Sequence, residues 1–127
     1  MLLVGMGTQI VEVVRIRQLI DRHADRFLDR VFTPDEQAYC RDRVRTAEHF
    51  AARWAAKEAT LRSLGTTWDR TIPWTDMAID LTKAQEPQVG LAGVVAALAR
   101  ANGVTRFVAA LAQTRAHATA TILALRA

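Results

Sequence analysis

The sequence predicts an α+β fold in a single unit of 127 residues. Short apolar segments with strand character lie near both ends of the chain, and helical patterns fill most of the region between them. Half of the residues are hydrophobic, which is enough to form a core. An order of strand, helices, and then strands around one more helix is typical of α+β proteins.

The first third of the chain predicts one strand followed by helices. Residues 2–8 are short, apolar and interrupted by glycine, which indicates a buried strand. Residues 11–30 carry apolar side chains at helical spacing and arginines on another face, with a break near residues 23–25. Thr33 as N-cap, Pro34 at the first helical position and Glu36 at the capping-box position predict the start of the next helix.

Residues 50–65 predict the helix around which the rest is organised. Alanine fills five of these positions, and Gly65 stands where a left-handed C-terminal cap falls. On a helical projection Lys57 lies inside an apolar stripe and Glu58 lies at its edge. Lys57 could extend its ammonium group to water, or it could join Arg53 in a cleft that binds an anion beside a cation held by Glu58.

The second half predicts a loop, strands and one helix. The loop covers residues 66–73, residues 83–89 predict a turn or a sheet edge, and residues 91–101 predict an alanine-rich helix closed by Asn102 and Gly103. Three segments are strand candidates: residues 77–81, 106–111 and 118–125. Periodicity leaves the last of them open because it is rich in alanine.

Composition limits the function classes. The net charge is +4 with a pI of about 10.2, and fifteen of the seventeen basic residues are arginine. This bias suits phosphates and carboxylates, so nucleotide cofactors, acidic proteins and nucleic acids are all compatible partners. Nucleic acid is disfavoured because the eight aromatic residues do not alternate with the arginines as a single-strand platform requires. A lone Cys40, no long apolar run and no leader-like start predict a cytoplasmic protein without a membrane span.

Several ordered motifs resemble those of bacterial holo-acyl-carrier-protein synthases. Residues 53–59, Arg-Trp-Ala-Ala-Lys-Glu-Ala, resemble the family's Arg-x-Ala-Ala-Lys-Glu-Ala helix, and residues 5–12 resemble its Gly-Ile-Gly-Thr-Asp-Ile-Val-Glu. Residues 27–36 are similar to its Phe-x-x-Arg-x-x-Thr-x-x-Glu, and residues 72–76 to its Ile-Ser-Trp-x-Asp. The resemblance runs over about residues 3–125, nearly the whole chain.

The resemblance implies a fold and a reaction. The fold would be a single 4′-phosphopantetheinyl transferase-like domain over residues 1–127, an antiparallel sheet packed with helices. The enzyme would transfer 4′-phosphopantetheine from coenzyme A to a serine of an apo acyl carrier protein and release 3′,5′-ADP. Mg²⁺ would neutralise charge on the pyrophosphate. The family typically forms homotrimers whose sites lie between neighbouring subunits, and it serves fatty-acid or secondary-metabolite synthesis.

The resemblance also assigns roles to individual positions. Glu58 and Lys57 match catalytic positions, and Glu58 and Gln9 match the two metal ligands. Positions matching coenzyme A contacts are Arg53, Lys57, Arg62, Gly65 and Thr114. Arg15 matches an arginine on the helix that docks the carrier protein, and Arg22 and Arg26 extend the same basic face.

Some positions depart from the family pattern. Gln9 replaces Asp and removes one of two anionic metal ligands, for which Glu12 or an Asp of a neighbouring subunit is an alternative. The family's Gly-Lys-Pro turn is here Gln85-Glu86-Pro87, and Thr67 replaces a glycine. Ala110, Ala112 and Gln113 replace two hydroxyl residues and a histidine at a strand end. Two hypotheses follow: an active transferase with an altered site, or a binder of coenzyme A or carrier protein that has lost catalysis.

Ordinary structural roles stay open for the same residues. The arginines of residues 15–30 could form a solvated face, and Gln9 could simply end a strand. Trp54 and Trp74 fit a core or an interface. The three histidines lack metal-ligand spacing and receive no function.

Overall fold

The computed structural model describes residues 1–82 and 86–127 and confirms an α+β fold with antiparallel sheets. The strands and helices follow one another in this order: β1 Leu2–Glu12, α1 Val13–His23, α2 Asp25–Val31, α3 Pro34–Arg41, α4 Thr46–Ser63, a 3₁₀ turn Trp74–Asp76, β2 Met77–Asp80, β3 Gln88–Leu91, α5 Gly93–Ala101, β4 Arg106–Gln113 and β5 His117–Arg126.

The main sheet has the strand order β1-β5-β4, with both pairs antiparallel. Side chains alternate between its two faces. The inner face carries small and apolar residues of β5 such as Ala118, Ala120 and Ile122, which are buried. Thr119 and Thr121 lie on the outer face and are more exposed. The sheet therefore has one face in the core and one face open.

Helix α4 fills the space between this sheet and the other helices. It packs against β1, β4 and β5 on one side and against α1, α3 and β2 on the other. Two thirds of its residues are buried, which explains its alanine content: small side chains let neighbours approach from several directions. Gly5 and Gly7 allow the closest approach, because a Cβ at either would overlap a backbone carbonyl of α4, at Ser63 and Ala59 respectively.

The predicted boundaries shift where tertiary contacts override local pattern. Strand β1 extends to Glu12 rather than ending at residue 8, because β5 pairs with it through His117. Helix α4 begins at Thr46, before residue 50, and residues 88–91 form a strand paired with β2. Three predictions are confirmed: the break between α1 and α2 at Ala24 (φ 46°), the capping box at Thr33, and the strands β4 and β5.

Two further predictions concern the turn at residues 83–89 and membrane spans. The turn predicted at residues 83–89 falls partly on residues 83–85, which lie outside the described residues. Where the chain is described, no helix combines the length and apolar character needed to cross a membrane.

Candidate functional site

Glu58 and Gln9 meet where α4 crosses β1. Gln9 Nε2 donates to Glu58 Oε2 at 3.4 Å, although the two residues are 49 positions apart. Gly7, two residues before Gln9, removes the side chain that would keep the strand and helix apart. The sequence therefore brings together the two residues that the resemblance assigns to a metal.

A cavity of about 450 Å³ opens beside this pair. Arg15 from α1 and Arg62 from α4 share its lining with Gln9 and Glu58. A second cavity of about 230 Å³ also touches Gln9, Arg15 and Glu58. Its lining adds Ile10, Val11, Glu12 and His117. Four residues selected in the sequence analysis, Gln9, Arg15, Glu58 and Arg62, thus line the 450 Å³ cavity. They offer one carboxylate and two guanidinium groups to a ligand.

The charge of Glu58 is tuned by burial and by its neighbours. Burial raises the pKa of the Glu58 carboxyl above its ordinary value, while the hydrogen bond from Gln9 and the charges of Arg15 and Arg62 oppose the rise. A half-buried carboxylate beside two cations can share a space with phosphate oxygens and a cation.

Tryptophans form the other wall of the 450 Å³ cavity. The rings of Trp68 and Trp74 are stacked at 5.4 Å with an interplanar angle of 6°, and Trp54 meets Trp74 edge to face. Trp68 Nε1 donates to the Ile72 carbonyl at 2.7 Å, which fixes its ring. Sequence reasoning missed Trp68. Its signal was a large aromatic residue in a short loop that is otherwise polar.

Lys57 lies elsewhere, and both sequence interpretations of its side chain are wrong. The residue is 0% exposed, so its ammonium reaches neither water nor the cavity of Glu58. It pairs with Glu36 at 2.7 Å. Neighbouring helical positions point about 100° apart, so Lys57 and its neighbour Glu58 face different surroundings. A direct contact of Lys57 with coenzyme A phosphates conflicts with this burial.

Arg53 is also buried, and it faces a different cavity. It is 1% exposed, its guanidinium lies 4.3 Å from the Tyr39 ring centroid, and its Nη1 donates to the His49 carbonyl. It lines a cavity of about 660 Å³ between α3 and the β2–β3 hairpin. Within one chain, Arg53 and Glu58 therefore do not face the same space. Arg53 Nε has no hydrogen-bond partner among the described residues.

The remaining predicted contacts lie at turns and on the surface. Gly65 (φ 80°) closes α4, and its N–H donates to the Arg62 carbonyl. Thr114 lies in the turn between β4 and β5, where its hydroxyl accepts from the His117 N–H. Neither lines the cavity of Glu58. Arg22 and Arg26 are exposed, on α1 and α2 respectively.

The substituted positions acquire new neighbours. Ala110 and Ala112 lie directly opposite Thr121 and Thr119 on β5, so hydroxyl groups remain on this part of the sheet surface. Gln113 Nε2 lies 3.2 Å from His49 Nδ1, which brings an imidazole to the strand end where the resemblance leads one to expect histidine.

Glu86 lies 3.5 Å from Arg106, an exposed pair. The anion that replaces the family's turn lysine therefore has a cationic neighbour on β4.

The donor chemistry at Glu58 fits Mg²⁺ only in part. Among the described residues, no group of three or more His, Cys, Asp or Glu could hold a metal. Mg²⁺ commonly uses one or two carboxylates together with substrate phosphates and waters. Glu58, with the amide oxygen of Gln9, suits a metal that arrives with its phosphate ligand.

Comparisons with known proteins identify relatives of this chain. The 4′-phosphopantetheinyl transferase superfamily matches residues 5–120. A holo-[acyl-carrier-protein] synthase of Koribacter versatilis is 36% identical over 122 residues, covering 96% of this chain and 98% of its own. That of Anaeromyxobacter dehalogenans is 41% identical over 108 residues, covering 83% and 82%.

Solved structures share the fold. The holo-[acyl-carrier-protein] synthase of Neisseria meningitidis superposes with a TM-score of 0.87 at 22% identity, covering 98% of this chain and all of its own. The Plasmodium yoelii acyl carrier protein synthase with ADP bound gives 0.87 at 24% identity, covering 99% and 97%. With a family match over most of its length and relatives above 30% identity, this chain belongs to the 4′-phosphopantetheinyl transferase superfamily.

Proposed function

We propose that this protein transfers 4′-phosphopantetheine from coenzyme A to a serine of an apo acyl carrier protein. The observation that carries the proposal is the cavity in which Glu58 and Gln9 lie beside Arg15 and Arg62. Relatives named holo-[acyl-carrier-protein] synthase support the same reaction.

In this reaction the serine oxygen forms a bond to the phosphorus that carries the pantetheine arm. The bond from that phosphorus to the oxygen bridging the second phosphate breaks, and 3′,5′-ADP leaves with the electron pair. The serine proton leaves to solvent as the new bond forms, and the Glu58 carboxylate is kept for the cation that neutralises the leaving group. Arg62 supplies charge-assisted hydrogen bonds to the phosphates.

Glu58 and the amide oxygen of Gln9 would hold Mg²⁺ together with the pyrophosphate. The ion supplies charge neutralisation on the group that leaves. Since one of the two protein ligands is neutral, the substrate phosphates carry more of the metal binding here than they would beside two carboxylates.

We further propose a homotrimer with active sites between subunits. The open face of the main sheet carries apolar side chains, among them Met6 at 60% and Ile10 at 63% exposure. Exposed apolar surface of this kind is typical of an interface. Arg53 and Thr114 would then contact coenzyme A bound at the Glu58 of an adjoining subunit, because neither lines the cavity of Glu58 in its own chain. Gly65 would shape the loop beside the phosphates.

Arg15, Arg22 and Arg26 are proposed to dock the carrier protein. All three side chains are exposed, and Arg15 lines the cavity of Glu58. Exposed cations of this kind attract acidic partners and orient them. We propose a cytoplasmic role in fatty-acid biosynthesis, for which the unpaired, buried Cys40 suits a reducing compartment.

The direct test is to incubate the protein with coenzyme A, Mg²⁺ and several apo carrier proteins and to read carrier masses. A gain of one phosphopantetheine with release of 3′,5′-ADP is expected. Glu58→Gln, which keeps shape and removes charge, should lose the activity. Coenzyme A binding without any mass gain on any carrier would contradict the proposal.

A further inference from the structure

A buried ion pair lies behind the catalytic cavity. Lys57 Nζ is 2.7 Å from Glu36 Oε1, and the two side chains are almost inaccessible to solvent. Buried pairs are weak evidence for stability, because apolar residues of similar volume often stabilise a fold as well or better. Stability alone therefore does not account for this pair, and we consider a role in positioning other residues.

Each partner makes additional hydrogen bonds to backbone. Lys57 Nζ donates to the Val31 carbonyl at 2.7 Å and to the Trp74 carbonyl at 3.4 Å. With Glu36 these acceptors match the three ammonium protons. Glu36 also accepts from the Thr33 N–H at 2.8 Å and from the Ile79 N–H at 2.9 Å. One network thus joins α2, α3, α4, the 3₁₀ turn and β2.

This network reaches both walls of the cavity. Lys57 immediately precedes Glu58, so fixing Lys57 fixes the rotation and height of α4 where the carboxylate emerges. The Trp74 carbonyl is held by the same ammonium, and the Trp74 ring lines the cavity while stacked on Trp68. Catalytic geometry is sensitive to such supporting contacts, since small displacements of reacting groups lower rates strongly.

We propose that Glu36 and Lys57 are positioning residues for the transfer reaction, holding Glu58 and the Trp74–Trp68 wall at a fixed separation. Lys57 acts through its contacts with Glu36 and Trp74 and does not touch the substrate. The expected loss of kcat rests on the proposed function, whereas the expected changes in Tm and in the tryptophan spectrum do not.

The test compares Lys57→Met, Glu36→Gln and the double variant. Each single change should lower the Tm because it leaves one buried charge without its partner. The double variant should recover much of that loss, since both charges are gone. It also lacks the donor to the Trp74 carbonyl, so its kcat should stay about tenfold or more below wild type with little change in KM for coenzyme A. Its near-ultraviolet circular dichroism should also differ, because the stacked tryptophans are no longer fixed.

Gln37→Leu provides a matched control on the same helix. Gln37 is buried, and its Nε2 donates to the Leu28 and Phe32 carbonyls and to Asp29 Oδ1. Among the described residues, its side-chain hydrogen bonds involve no tryptophan. It should lower the Tm while leaving kcat and the tryptophan spectrum unchanged. A double variant with wild-type kcat and spectrum, or a Gln37→Leu protein with the same losses, would overturn the positioning role. If the wild type transfers nothing, the proposed function fails while the spectra still decide this inference.

Discussion

At the scale of single residues, Gln9 decides how this site handles charge. Its amide nitrogen donates to Glu58, so in this arrangement the amide stabilises the carboxylate. To ligate a cation, the same amide must turn its oxygen inward. Arg15 and Arg62 add two positive charges nearby. Without phosphate, the surroundings of Glu58 therefore contain more positive than negative charge, and a free divalent cation should bind weakly.

Gln9→Asp should strengthen Mg²⁺ binding in the presence of coenzyme A by roughly tenfold or more, because it restores a second anion beside the ion. Transferase activity should rise where Mg²⁺ is limiting. Gln9→Asn is the matched control, since it has the size of Asp without its charge. Mg²⁺ titrations with coenzyme A present measure the effect. Equal affinities in the Asp and Asn variants would show that Gln9 does not face the metal.

Glu58→Gln should raise stability at neutral pH while removing activity. The pKa of the Glu58 carboxyl is raised on folding, so the folded protein favours the protonated form. Stability contributed by this group is therefore greatest at low pH and declines as pH rises through the unfolded and then the folded pKa. Thermal melts from pH 4 to pH 8 should show the variant gaining over wild type as pH increases. A constant Tm difference across that range would rule out this linkage.

At the scale of elements, the crossing of β1 and α4 builds the site. Gly7 lies against the backbone of Ala59, one residue from Glu58 along the helix. The contact sets the separation between the two elements, and with it the Gln9–Glu58 distance. Glycine here serves close approach and needs no unusual backbone conformation.

Gly7→Ala should destabilise the fold by about 1–3 kcal/mol or more, because its methyl group overlaps the Ala59 carbonyl and pushes the strand from the helix. The same shift separates Gln9 from Glu58 and should lower kcat. Gly90→Ala is the control, since its Cβ would make only ordinary contact with Ala78. Urea unfolding and initial rates measure the two effects. A Gly7→Ala protein as stable as Gly90→Ala would contradict the close packing.

Local sequence patterns anticipated the elements better than the contacts between them. The capping box at Thr33 and Glu36 marked the start of α3, because both hydrogen bonds join residues three apart. The same Glu36 also bonds Lys57 and Ile79, which are 21 and 43 positions away. No local period encodes those bonds, so an apolar stripe containing Lys57 suggested extension to water. Pairing of Gln9 with Glu58 was anticipated through the resemblance alone.

At the scale of the whole molecule, the main sheet leaves one face uncovered. Thr121 lies near its centre on the middle strand, opposite Thr8 on β1 and Ala110 on β4. Small side chains surround it, so a partner subunit could pack closely over this region. A cyclic trimer buries such a face by repeating one heterologous contact three times.

Thr121→Arg should reduce the trimer to monomers, because it places a charge at the centre of the proposed contact without a partner. Light scattering after gel filtration at micromolar concentration reads the mass directly. Val44→Arg is the control, since Val44 is fully exposed in the turn before α4. A wild-type protein that is monomeric, or a Thr121→Arg protein of unchanged mass, would contradict an interface at this face.

Sites shared between subunits make a further, independent prediction about mixtures of inactive proteins. Arg53→Met and Glu58→Gln homotrimers should each be inactive, because every site lacks one of the two groups. If Glu58 of one subunit works with Arg53 of the adjoining one, mixed trimers contain some intact sites. Random mixing at equal concentrations should restore roughly a quarter of the wild-type sites, as the cyclic arrangement pairs each subunit with one neighbour.

The proteins are denatured and refolded together, and transfer is compared with that of each variant refolded alone. Because Arg53 is buried, circular dichroism must first establish that Arg53→Met folds. Folded variants that form mixed trimers yet recover no activity would place both groups in the same subunit's site or remove Arg53 from catalysis.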